Sequence, residues 1–348
     1  MRSLRAPTLS LLLLTACGGG EPQPASASDS AESAVEQQPK VAFITNGVAD
    51  FWTVAEAGAR KGAEEAGAEV LVLMPARGME EQKSMVEDCL VRGVDGIAIS
   101  PIDPPNQAAL IEEAAAACPL ITHDSDAPDS ARLAYVGMDN YEAGWMAGEL
   151  AREALPEGGK AAIFIGRLEQ DNARRRRQGV IDALLGRTKD ASRFDEPGAQ
   201  PESEDGRFML VGTYTDQFDR ALGKANVEDA LNRYPDLGVA IGLFGYNPPL
   251  ILEALKGADA LGRVAIVGFD EDLTTLEGVR EGTIVGTVVQ DPFAYGRESV
   301  RILAGLHRGS ALSDLGVPEG GVLSIPGRRI TKENVDAFQQ DLEKNLGR

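Results

Sequence analysis

Histidine and cysteine are scarce in this chain, which has two of the first and three of the second in 348 residues. With only His123 and His307 there is no histidine-rich metal spacing and no HExxH, and the cysteines form no CxxC motif. A P-loop and a GxGxxG fingerprint are missing too, so no motif asks for a metal, nucleotide or other cofactor. Positive charge is also short: 34 Lys+Arg stand against 54 Asp+Glu, a formal net charge of −20. Such a surface repels phosphate backbones, which argues against nucleic acid as a partner. Beyond the first residues no apolar run is long enough to cross a bilayer.

The N-terminus is what stands out first. Arg2 and Arg5 precede an apolar stretch, Leu9 to Leu14, too short to span a membrane but suited to an export signal. It ends in Leu14-Thr15-Ala16-Cys17 before three glycines. That segment resembles the lipobox of bacterial lipoproteins, which implies a signal peptide over 1–16 and a lipidated Cys17. Residues 17–39, rich in Gly, Pro, Ser, Ala and Glu, have little to bury and read as a flexible linker. The expected location is therefore periplasmic or otherwise extracytoplasmic, with the chain anchored to the membrane by its lipid. Cys89 and Cys118 remain, and either a disulfide between them or two buried thiols fits that compartment.

From Val41 onward short β-rich runs alternate with helical segments. Val41–Thr45, Gly96–Ser100, Leu120–His123, Ala161–Ile165, Val239–Leu243, Val264–Gly268 and Ile284–Val289 are among the expected strands. Between them Phe51–Ala66, Ala173–Leu185 and Phe293–Leu306 have helical periodicity. Strict alternation predicts an α/β fold with parallel sheets covered by helices, and so many strands predict two lobes. Arg187 to Arg207 interrupts the pattern and reads as a surface loop insertion.

In such sheets ligands sit beyond the C-terminal ends of the strands. The residues there include Phe51 and Trp52, Asp124 and Ser125, Arg174, Asn247, Asp270 and Gln290. Carboxylates, a guanidinium and planar amides each bond paired hydroxyls, and aromatic faces cover the apolar side of a sugar ring. Catalysis has no such support. His123-Asp124-Ser125 are consecutive, and on extended chain their side chains alternate in direction, so they form no relay. Asp124 with Asp270 as a glycosidase pair is the remaining enzyme reading, and this fold disfavours it. Arg174 to Arg177 would spread around a helix, with one facing the pocket and the others solvated.

Together these residues make the chain resemble the periplasmic sugar-binding proteins of ATP-driven (ABC) uptake systems, of the ribose-binding type, over roughly Val41 to Phe338. The carriers are Pro119-Leu120-Ile121-Thr122-His123-Asp124, Gly137-Met138-Asp139-Asn140 with Ala143-Gly144, Asn172-Ala173-Arg174 with Gly179, Val267-Gly268-Phe269-Asp270 and Gly286-Thr287-Val288-Val289-Gln290. The resemblance implies two flavodoxin-like lobes joined by three hinge crossings, near 138–139, 290–291 and 320–322, with the ligand in the cleft. The N-terminal lobe would comprise 40–138 plus 291–320, and the C-terminal lobe 139–290 plus 321–348. It also implies that Phe51 and Trp52 sandwich the sugar. Asp124, Arg174, Asp270 and Gln290 would bind hydroxyls, Thr45 would supply a small hydroxyl, and Phe218 would line the site. Asn247 matches a binding asparagine, although an ungapped alignment puts Phe244 there. Ser125 replaces an arginine of the ribose binders and Ala49 an asparagine, which favours a larger sugar, an inositol or another polyol over ribose. The implied partners are a small sugar or polyol, a membrane permease and the membrane itself, with the protein a monomer. A sensor role, presenting the closed form to a membrane receptor, uses the same core and is the alternative.

Overall fold

The computed structural model describes residues 38–346, so the expected signal peptide, Cys17 and most of the expected linker lie outside the described residues. From Lys40 the chain lays down β1 (Lys40–Ile44), α1 (Asp50–Ala66), β2 (Glu69–Leu73), α2 (Met79–Val91), β3 (Gly96–Ile99), α3 (Pro104–Ala117), β4 (Leu120–His123) and β5 (Ala134–Gly137). A second series follows: α4 (Asn140–Ala154), β6 (Gly159–Ile165), α5 (Asp171–Leu184), β7 (Phe208–Thr215), α6 (Arg220–Arg233), β8 (Leu237–Gly242), α7 (Asn247–Gly257), β9 (Ala265–Phe269), α8 (Leu273–Glu281) and β10 (Gly286–Val289). Last come α9 (Pro292–His307), β11 (Val322–Ser324), β12 (Arg328–Ile330) and α10 (Val335–Asn345). Among the described residues no helix is long and apolar enough to cross a membrane.

The strands form two six-stranded sheets, ordered β11-β5-β4-β3-β1-β2 and β12-β10-β9-β8-β6-β7. All pairings are parallel except β12 against β10. Without the two short edge strands both sheets have the doubly wound order 2-1-3-4-5. Two α/β lobes of one topology result, as the alternation predicts. Each sheet is buried on both faces, with separate apolar clusters above and below it, which is why the strands read as continuous apolar runs.

Aspartates start many of the helices. Asp103, Asp139, Asp219, Asp272 and Asp291 each accept a hydrogen bond from first-turn N–H groups, satisfying donors that the helix leaves open. Proline occupies the first turn of α3, α7 and α9, where its missing N–H costs nothing. Two of these caps coincide with crossings between the lobes. The chain leaves the first sheet after Gly137 and enters α4 through Met138 and the cap Asp139; it leaves the second after Val289 and enters α9 through Gln290 and the cap Asp291.

The third crossing lies further along than 320–322. β11 pairs with β5 of the first sheet, and only β12 pairs with β10 of the second. The chain therefore changes lobes at Ile325-Pro326-Gly327, and residues 321–324 belong with the first lobe. Three residues of β11 are too few to reveal a period of two, so sequence pattern left them unassigned. α10 and β12 lie beyond the expected alternation, and Pro248 and Pro249 open the first turn of α7.

One close helix pair braces each lobe, α1 with α9 and α4 with α5. A Cβ on Gly58 would lie 1.9 Å from the Phe293 carbonyl oxygen, and one on Gly144 2.0 Å from that of Arg176. No side chain fits there, so these glycines let the backbones touch. The 187–207 insertion is fastened to α5: Arg177 donates to the Asp195 and Glu196 carbonyls at 2.7 and 2.9 Å. Arg187 and Arg193 reach the buried Asp182. Cys89 and Cys118 stand as free thiols, both pushed up to about 11 by burial, so of the two readings left open the structure carries the thiols.

Candidate functional site

The ends of β4 and β9 carry the same device. Each strand is the fourth of its lobe, and each is followed by an aspartate in the left-handed region, Asp124 at φ 58° and Asp270 at φ 63°. Aspartate tolerates this conformation better than bulkier residues. Both backbones remain tied to the next strand, Asp124 N–H to Val136 O at 3.1 Å and Asp270 N–H to Val288 O at 2.8 Å. The turn aims both carboxylates into the cleft between the lobes, where each is nearly fully buried.

On the first lobe, Asp124 Oδ2 accepts from Asn46 Nδ2 at 3.4 Å and from Ser100 Oγ at 3.3 Å. Asn46 and Ser100 follow β1 and β3, the neighbours at the topological switch point. Gln82 of α2 pins both strand ends, donating to the Thr45 and Ser100 carbonyls at 2.7 and 2.8 Å. Beside them the Ser125 hydroxyl is buried and has no hydrogen-bond partner among the described residues. Phe51, at the start of α1, packs against the apolar clusters of both lobes.

The second lobe presents Arg176 of α5, 1% exposed. Its guanidinium stacks on Phe269 at 4.2 Å and faces Phe244 at 5.4 Å. Nε donates to Asn140 Oδ1 at 2.8 Å and Nη1 to the Leu243 carbonyl at 3.3 Å. Nη2 points at Asp124 Oδ1 from 3.8 Å, an ion pair across the cleft without a hydrogen bond. Asp270 Oδ1 accepts from Gln290 at 2.8 Å and Oδ2 from the Gly245 N–H at 3.0 Å. Asn172 of the same helix as Arg176 reaches across to Asp124 at 3.4 Å.

Two hydrogen-bond chains run from first-lobe tyrosines through the crossings to these groups. The Tyr135 hydroxyl, a single donor, has the carbonyls of Asp124 and Met138 within reach at 2.9 and 3.1 Å and accepts from Asn140, which holds Arg176. Tyr295 of α9 donates to Gln290 Oε1 at 3.2 Å, and Gln290 holds Asp270. Burial dominates the electrostatics. It pushes Asp124 up to about 6, a rise that Arg176 opposes and Asp270 reinforces. Asp270 is raised for the same reason, with Arg176, Gln290 and the Gly245 N–H pulling it back.

Several expected site residues fall elsewhere. Arg174 is not in the cleft: its side chain is half exposed, near Asp171 at 3.4 Å and over Phe194, and the cleft guanidinium is that of Arg176. Helical phase decides this, because Arg176 is four residues after Asn172 and shares its face, whereas Arg174 does not. Trp52 points into the first lobe's core, edge-on to His123 at 5.6 Å, so Phe51 alone of the pair reaches the cleft. Asn247 commits both ends of its amide, donating to Asp216 and accepting from the Phe244 N–H, each at 3.0 Å. It shapes the loop, and Phe244 lines the site. The Thr45 hydroxyl closes a turn onto the Gly47 carbonyl at 2.7 Å. Phe218 sits half exposed at the rim beside Phe244. His123 is a core residue, stacked on Phe43 at 4.1 Å and bonded to the Ile44 carbonyl, with burial pulling it down to about 3. Burial therefore disfavours its charged form. Among the described residues no group of three or more His, Cys, Asp or Glu could hold a metal ion.

The profile of the family described as periplasmic binding protein domain matches residues 41–311. A ribose import binding protein of Bacillus subtilis (strain 168) is 27% identical over 295 residues, covering 83% of this chain and 88% of its own. A solved ABC-transporter solute-binding protein of Burkholderia graminis, in complex with D-arabinose, is 27% identical with a TM-score of 0.74, over 85% of this chain and 96% of its own. A glucose-galactose binding protein of Geobacillus stearothermophilus has a TM-score of 0.75 at 24% identity, over 86% and 99% of the two chains, a likeness of fold.

Proposed function

This chain belongs to the periplasmic binding protein domain family, and on that premise we propose that it is an extracytoplasmic binder of a sugar or polyol, delivering its ligand to an ABC-type permease. The observation that carries the reading is the convergence of Asp124 from one lobe with Arg176, Asp270 and Gln290 from the other, flanked by Phe51 and Phe244. Paired carboxylates, a guanidinium and an amide between aromatic faces suit a ring rich in hydroxyls. The relatives are binding proteins by name, not enzymes. The mechanism is hinge closure about the three crossings, in which contacts from both walls shift the population toward the closed form.

The same proposal includes a lipid anchor at Cys17, on the strength of the Leu14-Thr15-Ala16-Cys17 segment. Two experiments test the reading. In a thermal-shift screen of pentoses, hexoses and polyols, a true ligand at a hundred times its Kd adds about 2.7 kcal/mol of stability; no shift with any compound at millimolar concentration overturns sugar binding. Cys17→Ala releases the protein from membranes on fractionation, and retention of the variant overturns the anchor.

A further inference from the structure

We propose that the cleft is built for a sugar or polyol that carries a protonated amine. This rests on the sugar-binder reading and deepens it. The basis is a count of buried charge. Asp124 and Asp270 face the cleft, each less than a tenth exposed, and among the described residues Arg176 is the one cation that acts on both. Arg176 is moreover fixed to the second lobe by Asn140, Leu243 and Phe269, so its approach to Asp124 stops at 3.8 Å.

Other acids deepen the imbalance. Asp216, 1% exposed, is held by Tyr246, Asn247 and the Phe218 N–H, all neutral donors. Next to Asp270 in the chain, both carboxyl oxygens of Glu271 are buried without a hydrogen-bond partner among the described residues. Arg167 lies over the half-exposed Phe218 ring, its Nε buried and without a hydrogen-bond partner among the described residues, and Arg328 acts on Glu271 from β12.

A low-dielectric site with more carboxylates than cations is unfavourable unless a positive charge enters or a proton is taken up. Among the described residues no cluster could hold a metal ion; proton uptake by Glu271, whose carboxyl is raised well above its ordinary value by burial, answers part of the deficit, and the rest is assigned to the ligand. The receiving groups are on the first lobe. Among the described residues Asp124 Oδ1 has only the 3.8 Å ion pair, and the Ser125 hydroxyl has no partner. An ammonium offers three donors and a charge; a hydroxyl offers one donor and none. The ring would still lie between Phe51 and Phe244.

The test uses the full chain and matched pairs at pH 7.5: glucosamine with glucose, galactosamine with galactose, and an aminocyclitol with myo-inositol. Calorimetry is expected to give at least ten-fold tighter binding of the amine in a pair, abolished by N-acetylation. Ser125→Arg, which places a second guanidinium beside Asp124, is expected to erase the preference. Should that variant fail to fold, Asp124→Asn is expected to cut it below three-fold. Equal or tighter binding of the neutral member in every pair overturns the amine while leaving the sugar-binder reading intact. A preference for amines that survives both substitutions overturns the assignment to Asp124. No binding of any compound overturns both readings.

Discussion

The two lobes share one strand order and place an aspartate of the same unusual conformation at the same strand end, yet they hold it differently. Asp270 is gripped within its own lobe, by Gln290 at 2.8 Å and a backbone N–H at 3.0 Å. Asp124 is held by its own lobe at 3.3 and 3.4 Å, and its remaining partners, Asn172 and Arg176, come from across the cleft. The second lobe is thus a finished wall, whereas the first offers a loosely held carboxylate that gains partners when the lobes meet. In the proposed hinge closure, Asp124 is where the first lobe lacks partners that the second supplies.

The largest effect that can break this comparison is at the finished wall. Arg176→Ala leaves Asp124 and Asp270 buried without their cation, an uncompensated-charge defect of about 3–5 kcal/mol. Loss of most of the ligand affinity is expected, more than a hundred-fold by calorimetry, along with a clear fall in the urea midpoint. Arg174→Ala, two residues away on the exposed face, is expected to change stability by less than ~0.5 kcal/mol and affinity by less than about three-fold. Equal effects of the two substitutions would show that the second wall is not organised around Arg176.

That pair also marks how far the sequence could be read. The alternation of strands and helices, the two lobes and the acids at strand ends were legible, because each is a local pattern tied to one topology. A run of four arginines was not, since only the phase set by Asn172 and by the Gly144–Arg176 backbone contact chooses among them. Asn46 and Ser100 were missed because short polar residues after a strand read as turn. Trp52 was misplaced because an aromatic next to Phe51 looks the same whether it faces the cleft or the core. The third crossing slipped because two three-residue strands carry too little pattern.

A middle-sized effect sharpens the contrast between the aspartates. Burial raises Asp124 to about 6, so the folded chain holds this proton more tightly than the unfolded chain does. The stability this provides is fully present below pH ~4 and is lost as the pH rises through about 6. Asp124→Asn has no charge to bury and is therefore expected to melt above wild type at pH 7.5, by up to ~3 kcal/mol, with the gap closing between pH 6 and 4. Asp270→Asn forfeits well-made hydrogen bonds and is expected to gain less. A gap that is independent of pH, or larger for Asp270, would break the distinction.

The smallest effect concerns what holds each lobe together. All cysteines of the folded region, Cys89 and Cys118, lie in the first lobe, and the second lobe has none among the described residues. If they were bridged, the first lobe would carry a covalent staple of about 2–4 kcal/mol that its counterpart lacks, and reductant would lower its stability alone. As free thiols pushed up to about 11 they supply little thiolate for exchange near neutral pH. Dithiothreitol is therefore expected to move the melting temperature by less than about 1 °C, and mass spectrometry after alkylation under native and then denaturing conditions should find both thiols unpaired. A drop of several degrees would make the first lobe the stapled one, and the shared apolar layers would no longer suffice to explain both.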